Sequence, residues 1–588
     1  MADQYIVFGV ILLALVLFAS GRLRHDVVAV SCLMVLAVTG VVQGADVYSG
    51  FSNPAVVTVA AVLVLGAGLR ASGVVDVMGR SLTRFTGSMT SEVFVLSLAV
   101  CVLSAFMNNV GALAVLMPVG IQLARARGRS PAYLLMPMSF ASLLGGTMTL
   151  IGTPPNLLLS SFRGEAKGEP FAMFDFFWVG GPVALVGLIY VAFIGWRLLP
   201  ERGADTGEDV DFDVHDYIFE LDVPSDSSLN GISIGAFQER YPDVQVLQIV
   251  RGPHVINAPA DARVLRPGDR LAVEGADDDI RRLVEHTAAI SVSADDHPEA
   301  TREAARILVD AEVVVGSRSS LRGRSAADAG LRTRYSINLL AVSRQGRKVI
   351  RRPSEMKLRA GDVLMVSLAR PQVETLIGEL GCYPLRVQER EVKRRRAIPA
   401  VGIFAGAIAL VVMGTLEVQV AFVAAALLMV LVRVLPLKDV YASIDWPVIF
   451  LLGAMLPVGL ALESSGGAET IANALGASAG GLPAWAVLAL LYLVTATMTD
   501  IVNNAAALVL MAPIALGLAA QVGIAPDAML MTVGIAASCA FLTPIGHQSN
   551  TLVMGPGGYA FGDYFRMGIW LQLLVGIVAI PMILIVWA

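Results

Sequence analysis

Residues 108–118 read NNVGALAVLMP, and residues 503–513, which lie 395 positions further on (503 − 108), read NNAAALVLMAP. A second pair follows the first: TLIGTPPN at 149–156 returns as TPIGHQSN at 543–550, 394 positions further on (543 − 149). Both copies place paired Asn, Gly and Pro residues inside long apolar stretches. Helix-breaking polar residues in corresponding apolar segments of two halves are the best sequence indicator of a transporter binding site. The repeat therefore predicts a protein that moves a solute.

The composition places most of this chain in lipid. Of its 588 residues, 56% are hydrophobic and 15% are charged, whereas a soluble domain has about 25% charged residues. The charges concentrate in residues 201–396, and the flanking parts contain apolar runs of about 20 residues, enough to cross a bilayer. We therefore expect two membrane halves, 1–200 and 397–588, around a hydrophilic insert. No nucleophile–base pair or metal-ligand cluster is apparent in the sequence, so an enzyme is not expected.

Each membrane half contains six apolar elements in the same order. They lie near 5–20, 27–43, 54–71, 91–126, 131–161 and 176–199, and again near 397–413, 418–435, 446–464, 484–522, 527–556 and 567–587. The fourth element is too long for one crossing and carries the Asn pair at its centre, which predicts a re-entrant helical hairpin. The fifth element is interrupted by Gly and Pro or His, which predicts a broken helix. With five net crossings in each half, the two repeats must be inverted relative to each other.

The loop charges predict the orientation in the membrane. Basic residues such as Arg125 and Arg433 fall on one side, and acidic residues such as Asp46 and Glu417 fall on the other. Basic loops stay on the cytoplasmic side of a membrane. We therefore expect a multi-pass protein of a bacterial inner membrane, with both termini outside and the insert in the cytoplasm.

The insert carries a duplication of its own, over residues 207–290 and 296–384. Residues 264–271 read VLRPGDRL and residues 357–364 read KLRAGDVL. Short β-branched runs around them predict strands, and Arg-Pro-Gly-Asp is typical of a turn. These motifs resemble the TrkA-C, or RCK-C, module of potassium-transport regulatory proteins, present here in tandem. The resemblance implies small α/β domains that sense a ligand. In some members of that family the ligand is a nucleotide. A purely structural or dimerising role is the alternative.

The repeated motifs suit an ion and an anion together. A hairpin tip or a helix break exposes backbone groups that a continuous helix would consume. Unwound carbonyls suit Na⁺ and helix N-termini suit an anion, while Asn offers an oxygen to one and an NH₂ group to the other. Two tips that face two breaks therefore predict two cation sites beside one anion site. The alternative is that Asn and Gly merely allow close helix packing, which two copies in register make less economical.

Both membrane halves resemble the divalent anion:sodium symporters, a family within the ion transporter superfamily. Residues 152–156, GTPPN, are similar to that family's first helix-break motif without change. The resemblance implies a homodimer whose transport domain moves like an elevator, with the anion, the bilayer and Na⁺ as partners and no nucleic acid. It implies a first Na⁺ site at Ser104, Asn108, Asn109 and Gly152, and a second at Thr499, Val502, Asn504 and Gly546. It implies a substrate site at Asn109, Val110, Thr153, Asn504, Ala505 and His547.

Three departures from the family pattern bear on the substrate. Val110 and Ala505 replace the usual Thr at the hairpin tips, which removes donors used on carboxylates, and His547 replaces a Thr in the second break. The family branch with tandem TrkA-C inserts resembles sulfate transporters of bacteria and algae. We therefore expect sodium-coupled symport of a divalent oxyanion, with sulfate as the substrate.

Other functions stay open at this point. They are symport of a dicarboxylate or another anion, cation/proton antiport, and a channel gated by the insert. Asp500, beside the second hairpin tip, is a candidate proton carrier, or else a cap for backbone N–H groups.

Overall fold

The computed structural model describes two compact units, Met1–Glu201 with Glu391–Ala588, and Arg202–Arg390. The described residues are 2–20, 23–73, 87–200, 218–241, 244–252, 254–257, 259, 262–274, 277–292, 308–316, 319–335, 337–344, 347–349, 356–369, 376, 379–386, 397–479 and 481–588. The predicted starts of the two insert modules, residues 207 and 296, lie outside these ranges.

The first half of the membrane unit is helical. Its helices are α1 (Ala2–Ser20), α2 (His25–Val38), α3 (Pro54–Ala71), α4 (Met89–Ser104), α5 (Asn109–Ala126), α6 (Ala132–Gly146), α7 (Pro154–Lys167) and α8 (Phe177–Phe193), with 3₁₀ segments at Gly44–Ser52 and Gly195–Leu198. The predicted hairpin is the pair α4 and α5, which is interrupted between 104 and 109. The predicted broken helix is the pair α6 and α7, which is interrupted between 146 and 154.

The first part of the insert is a five-stranded antiparallel sheet. Its elements are β1 (Ile218–Asp222), α9 (Ile234–Arg240), β2 (Gln245–Arg251), β3 (His254–Asn257), β4 (Arg270–Glu274), α10 (Asp277–Thr287) and β5 (Ile290–Val292). The strand order is β3-β2-β4-β1-β5. Buried apolar residues from the strands and both helices form its core, among them Leu221, Phe237, Ile249 and Leu283.

The second part of the insert repeats this arrangement. Its elements are β6 (Leu308–Val315), α11 (Leu331–Tyr335), β7 (Asn338–Arg344), β8 (Arg347–Val349), β9 (Val363–Ala369) and β10 (Cys382–Arg386). The sheet order is β10-β6-β9-β7-β8, so each strand occupies the place of its counterpart in the first sheet. The repeated sequences therefore build two sheets of one topology, each with its own core. Their assignment to the TrkA-C module stays a prediction.

The same ion pair closes the turn of each sheet. Arg251 forms two bonds with the Asp269 carboxylate, at 2.6 Å each, and Arg344 forms two with Asp362, at 2.8 and 2.7 Å. Each carboxylate also accepts a turn N–H, from Arg266 and Arg359 respectively. The hydrogen bond to its Asp partner raises the pKa of each guanidinium above the ordinary value. The guanidinium of each pair therefore stays positively charged at any physiological pH.

The second half of the membrane unit follows the insert. Its helices are α12 (Ala397–Val412), α13 (Val418–Leu431), α14 (Leu437–Ser443), α15 (Trp446–Ser464), α16 (Gly467–Ala479), α17 (Ala484–Ile501), α18 (Asn504–Val522), α19 (Pro526–Ala537), α20 (Gln548–Met554) and α21 (Phe561–Trp587). The second hairpin is α17 and α18, and the second broken helix is α19 and α20. Tip and break therefore recur at the positions that the sequence repeat marks.

Six apolar segments in the described part of the chain are long enough to cross a membrane. They are Gly44–Ala71, Asn109–Ala126, Trp446–Ser464, Ala484–Ile501, Asn504–Val522 and Phe561–Trp587. Eight shorter apolar helices accompany them. By length and composition, the chain is a multi-pass membrane protein.

Two glycines show why the broken helices pack so closely on the last helix of each half. A Cβ added to Gly180, in α8, would collide with the carbonyl oxygen of Thr147 at the first break. A Cβ added to Gly568, in α21, would collide with the carbonyl oxygen of Phe541 at the second break. Only glycine lets these helices approach the unwound backbone.

The turn ion pairs of the insert generate a first prediction. Replacing Asp269 with Ala leaves the Arg251 guanidinium and the turn N–H of Arg266 without the carboxylate that accepts their hydrogen bonds. The local opening free energy of the first sheet should fall by about 2 kcal/mol, since the arginine remains partly solvated. Hydrogen exchange measured by mass spectrometry on the full chain should then quicken in residues 218–292 and stay unchanged in residues 308–386. Asp362→Ala is the matched control and should give the reverse pattern; uniform exchange in both variants would contradict two separate cores.

Candidate functional site

The first Asn of each pair caps a helix. Asn108 Oδ1 accepts a hydrogen bond from the Val110 N–H at 3.1 Å, and Asn503 Oδ1 accepts one from the Ala506 N–H at 3.0 Å. The carbonyl oxygen of Asn108 also accepts from the Ala112 N–H within the helix. These bonds satisfy N–H groups that every helix start leaves open. Both oxygens of Asn108 are therefore already engaged, and its predicted part in the first cation site stays a prediction.

The second Asn of each pair enters an oxygen cluster. In the first half, Ser104 Oγ lies 2.8 Å from Asn109 Oδ1 and 2.7 Å from the Ser142 carbonyl oxygen. In the second half, Thr499 Oγ1 lies 2.9 Å from Asn504 Oδ1 and 2.8 Å from the Ala537 carbonyl oxygen. A hydroxyl carries one hydrogen, yet each of these faces two acceptors. Each hydroxyl can therefore donate to only one of its two neighbouring oxygens at a time.

The predicted glycines lie beside these clusters. A Cβ on Gly152 would come within 2.6 Å of the Gly146 carbonyl oxygen, and Gly146 itself packs against the Asn109 amide. A Cβ on Gly546 would lie 3.1 Å from the carbonyl oxygen of Thr499. Each broken helix thus folds back on the hairpin tip of its own half. The structure brings together Ser104, Asn109 and the Gly152 segment in one cluster, and Thr499, Asn504 and Gly546 in the other.

Asparagines also brace both helix breaks. Asn156 Nδ2 donates to the carbonyl oxygens of Gly146 at 3.0 Å and Thr149 at 2.8 Å. Asn550 Nδ2 donates to the carbonyl oxygens of Ala540 at 2.8 Å and Thr543 at 3.0 Å. Carbonyls that a broken helix leaves unpaired would be costly to bury without such donors. These braces hold the unwound backbone in shape.

The two halves meet at Asn109 and His547. Asn109 Nδ2 and His547 Nε2 are 3.5 Å apart. The other ring nitrogen, Nδ1, accepts the Ser549 N–H at 3.1 Å and caps α20, so Nε2 carries the hydrogen. Asn109 Nδ2 and His547 Nε2 are therefore two donors at the contact between the halves. At the second hairpin tip, Asn504 Nδ2 is buried and has no partner among the described residues.

The other predicted substrate residues line the same elements. Val110 and Ala505 lie buried in the first turns of α5 and α18. Thr153 is buried and precedes α7 as His547 precedes α20. Val502 ends α17 in an extended conformation, at φ −111° and ψ 162°. Among the described residues, no hydrogen bond joins these four residues to the oxygen clusters.

Asp500 holds backbone at the second break. Its Oδ1 accepts the Leu542 N–H at 3.0 Å, where the first half has Ala105. Its Oδ2 is buried without a partner in the described part of the chain. The capping interpretation thus has a contact to support it, although the N–H belongs to the break and not to the hairpin tip.

Sequence reasoning missed three kinds of residue at this site. The carbonyls of Ser142 and Ala537 complete the oxygen clusters, and backbone atoms leave no mark on a sequence. Asn156 and Asn550 stand inside the repeated motifs, so their recurrence at one offset was the available signal. Gly146 was an ordinary helical glycine until folding placed it against Asn109.

Apolar spans, two broken helices and paired polar clusters define a membrane transporter. The family model for the CitMHS citrate transporters matches residues 15–534, and the chain belongs to this family. It is similar to two uncharacterized transporters over nearly the full length of both chains. One is sll0640 of Synechocystis, 34% identical over 98% of this chain and 96% of the relative; the other is YfbS of Escherichia coli, 32% identical over 98% of each. These relatives are transporters, not enzymes.

A further relative bears a more specific name. Sodium/sulfate cotransporter 1 of Chlamydomonas reinhardtii is 26% identical over 46% of this chain and 32% of its own length. Among solved structures, the YdaH transporter of Alcanivorax borkumensis aligns with 99% of this chain and 97% of its own, at 16% identity and a TM-score of 0.41.

The oxygen clusters generate a second prediction. Thr499→Val keeps the side-chain shape but removes the one hydroxyl donor that Asn504 Oδ1 and the Ala537 carbonyl share. Such a loss should cost about 1–3 kcal/mol and lower the unfolding temperature of the purified protein. Thr497→Val is the matched control, because Thr497 Oγ1 bonds the Leu493 carbonyl on the exposed side of the same helix, and its unfolding temperature should barely change. Equal losses in both variants would contradict a special role for the Thr499 hydroxyl.

Proposed function

We propose that this protein is a sodium-coupled symporter of a divalent oxyanion and that its substrate is sulfate. The observation that carries the proposal is the recurrence of one hydroxyl between an Asn oxygen and a helical carbonyl, at Ser104 and again at Thr499. Unwound carbonyls and helix ends in transporters coordinate Na⁺. The two clusters supply such oxygens from both halves, together with the backbone of the breaks beside them.

The donors at the meeting point of the halves suit an oxyanion. Asn109 Nδ2 and His547 Nε2 are neutral donors 3.5 Å apart, and Asn504 Nδ2 is a further neutral donor at the second hairpin tip. The oxygens of both Asn side chains face the hydroxyls of the proposed cation clusters. Sulfate carries no proton at neutral pH, so all its oxygens accept hydrogen bonds. A set of donors without a free acceptor matches sulfate and disfavours hydrogen phosphate, whose hydroxyl needs an acceptor. The name of the relative from Chlamydomonas reinhardtii, sodium/sulfate cotransporter 1, also supports sulfate.

The departures from the symporter pattern also favour a compact anion. Val110 and Ala505 bring no hydroxyl to the hairpin tips, so a longer dicarboxylate would lose donors at its second carboxylate. The name of the matched family mentions citrate, a much larger anion. Citrate and dicarboxylates are therefore the competing substrates to test against sulfate.

Transport and regulation complete the proposal. The inverted repeats, each with five crossings, a hairpin and a broken helix, work as an elevator within a homodimer in a bacterial inner membrane. The insert is cytoplasmic, both termini are outside, and the two sheet domains act as tandem TrkA-C modules that sense a small ligand. The shared topology and separate cores of the two sheet domains support their assignment as tandem modules.

The test is radiolabelled sulfate uptake into proteoliposomes. An inward Na⁺ gradient should drive uptake, and an equal K⁺ gradient should not. Asn109→Ala and Asn504→Ala should each lower uptake by about tenfold or more, because each removes a cation ligand and an anion donor. Asn473→Ala is the matched control, since Asn473 is exposed and bonds Gln521, and its uptake should equal that of the wild type.

Three outcomes would contradict parts of the proposal. Uptake driven by a pH gradient alone would replace Na⁺ with protons as the coupling ion. Stronger competition by citrate or succinate than by selenate would overturn the oxyanion assignment. Normal uptake in both Asn variants would move the site elsewhere.

A further inference from the structure

Four polar side chains lie fully buried beside the oxygen clusters. Ser139 and Ser142 belong to α6, in the first half, and Ser549 and Asn550 belong to α20, in the second half. Each has an exposed fraction of 0%. Polar groups at such positions are costly unless they are paired, so their partners matter.

These side chains pair across the two halves. Ser139 Oγ donates to Asn550 Oδ1 at 2.8 Å. Ser142 Oγ lies 3.3 Å from Ser549 Oγ and 2.7 Å from the Ser139 carbonyl oxygen. A broken helix of one half is thereby tied to the broken helix of the other through side chains alone.

Each end of this connection reaches one oxygen cluster. On one side, the carbonyl of Ser142 faces the Ser104 hydroxyl of the first cluster. On the other side, Asn550 Nδ2 holds the carbonyls of Ala540 and Thr543. The Thr543 hydroxyl in turn donates to the Asp500 carbonyl at 2.8 Å and accepts the N–H of Gly546 at 2.9 Å. A chain of hydrogen bonds, linked through the side chains and backbone of these residues, therefore runs from the first cluster to the backbone that frames the second; its bonds are buried in α6 and part-buried at Thr543.

The cross-half bond is not itself part of the repeat. Asn156 braces the first break as Asn550 braces the second. The position that corresponds to Ser139 in the second half is Gly534, at the 395-residue offset that also relates Ser142 to Ala537. Glycine has no side-chain donor. The bracing bonds come from the Asn amide nitrogen, whereas Ser139 bonds the amide oxygen of Asn550 and so adds a link between the halves.

We propose that Ser139 and Asn550 are positioning residues that couple the two cation sites. A cation at the first cluster fixes the Ser104 hydroxyl and, with it, the Ser142 segment of α6. Because α6 holds Asn550, the carbonyls and Gly546 backbone around the second cluster are ordered in the same step. The second cation then binds to a site whose ordering cost has already been met, which is positive cooperativity. This inference rests on the proposed sodium sites.

The test measures Na⁺ binding without transport. The unfolding temperature of the purified full chain is followed against Na⁺ concentration, with choline holding the ionic strength constant and no anion substrate present. We expect a sigmoidal response with a Hill coefficient near 2 for the wild type. Ser139→Ala should bring the coefficient toward 1 and weaken the apparent Na⁺ affinity by about fivefold. Sulfate uptake at saturating Na⁺ should keep its KM.

The controls separate coupling from simple loss of a buried bond. Ser160→Ala removes another buried hydroxyl, which pairs with the Phe171 backbone and lies off the path; its Na⁺ response should stay cooperative. Ser139→Cys keeps the volume and a weak donor, so it should give an intermediate coefficient and covers the case in which Ser139→Ala does not fold.

The outcomes distinguish this inference from the proposed function. A cooperative response that Ser139→Ala leaves unchanged would overturn the coupling role and leave the symporter standing. A wild-type response that depends on Na⁺ with a Hill coefficient of 1 would do the same. No Na⁺ response in the wild type would overturn the proposed sodium sites themselves.

Discussion

Unwound backbone between apolar helices must find hydrogen-bond partners within the protein, and this constraint governs the whole membrane unit. Water is absent from a bilayer core, so each unpaired N–H or C=O group would cost several kcal/mol. Asparagine supplies the partners here. Asn108 and Asn503 cap the helices that leave the hairpin tips, and Asn156 and Asn550 hold the carbonyls of the breaks. Asn109 and Asn504 do not cap these helices, and their side chains face the two oxygen clusters instead.

The same constraint explains why glycines gather where they do. The breaks can be braced only if hairpin tip, break and last helix of each half come into contact. Gly180 and Gly568 permit the last helices to reach the breaks, and Gly152 lets its break close on Gly146. Close approach and hydrogen bonding therefore depend on each other. A side chain at any of these glycine positions would push the packed segments apart.

Differences between the halves carry as much information as their likeness. A perfect repeat would present the same groups on both sides, yet His547 stands where the first half has Thr153, Asp500 where it has Ala105, and Ser139 where the second half has Gly534. His547 lies at a break and Asp500 near a hairpin tip, whereas Ser139 lies inside α6. The proposed combination of cations and an anion would require such asymmetry, because its parts differ in charge and in the hydrogen-bonding groups that they need.

The sequence by itself predicted the apolar helical architecture and the repeated motifs at which the candidate site lies. Apolar length, the spacing of helix breakers and the 394- to 395-residue offset predicted both hairpins and both broken helices, because a run of apolar residues has few structures open to it in lipid. The charged insert and its duplication were equally legible, since Arg-Pro-Gly-Asp dictates a turn. Tertiary structure alone decided the rest. Helix packing determines which Asn of each pair caps a helix and which faces a cluster. It also places the Ser142 and Ala537 carbonyls in the clusters and brings Ser139 into contact with Asn550. These contacts link residues that are up to 411 positions apart, and pairing at such a distance depends on helix packing, which no local pattern encodes.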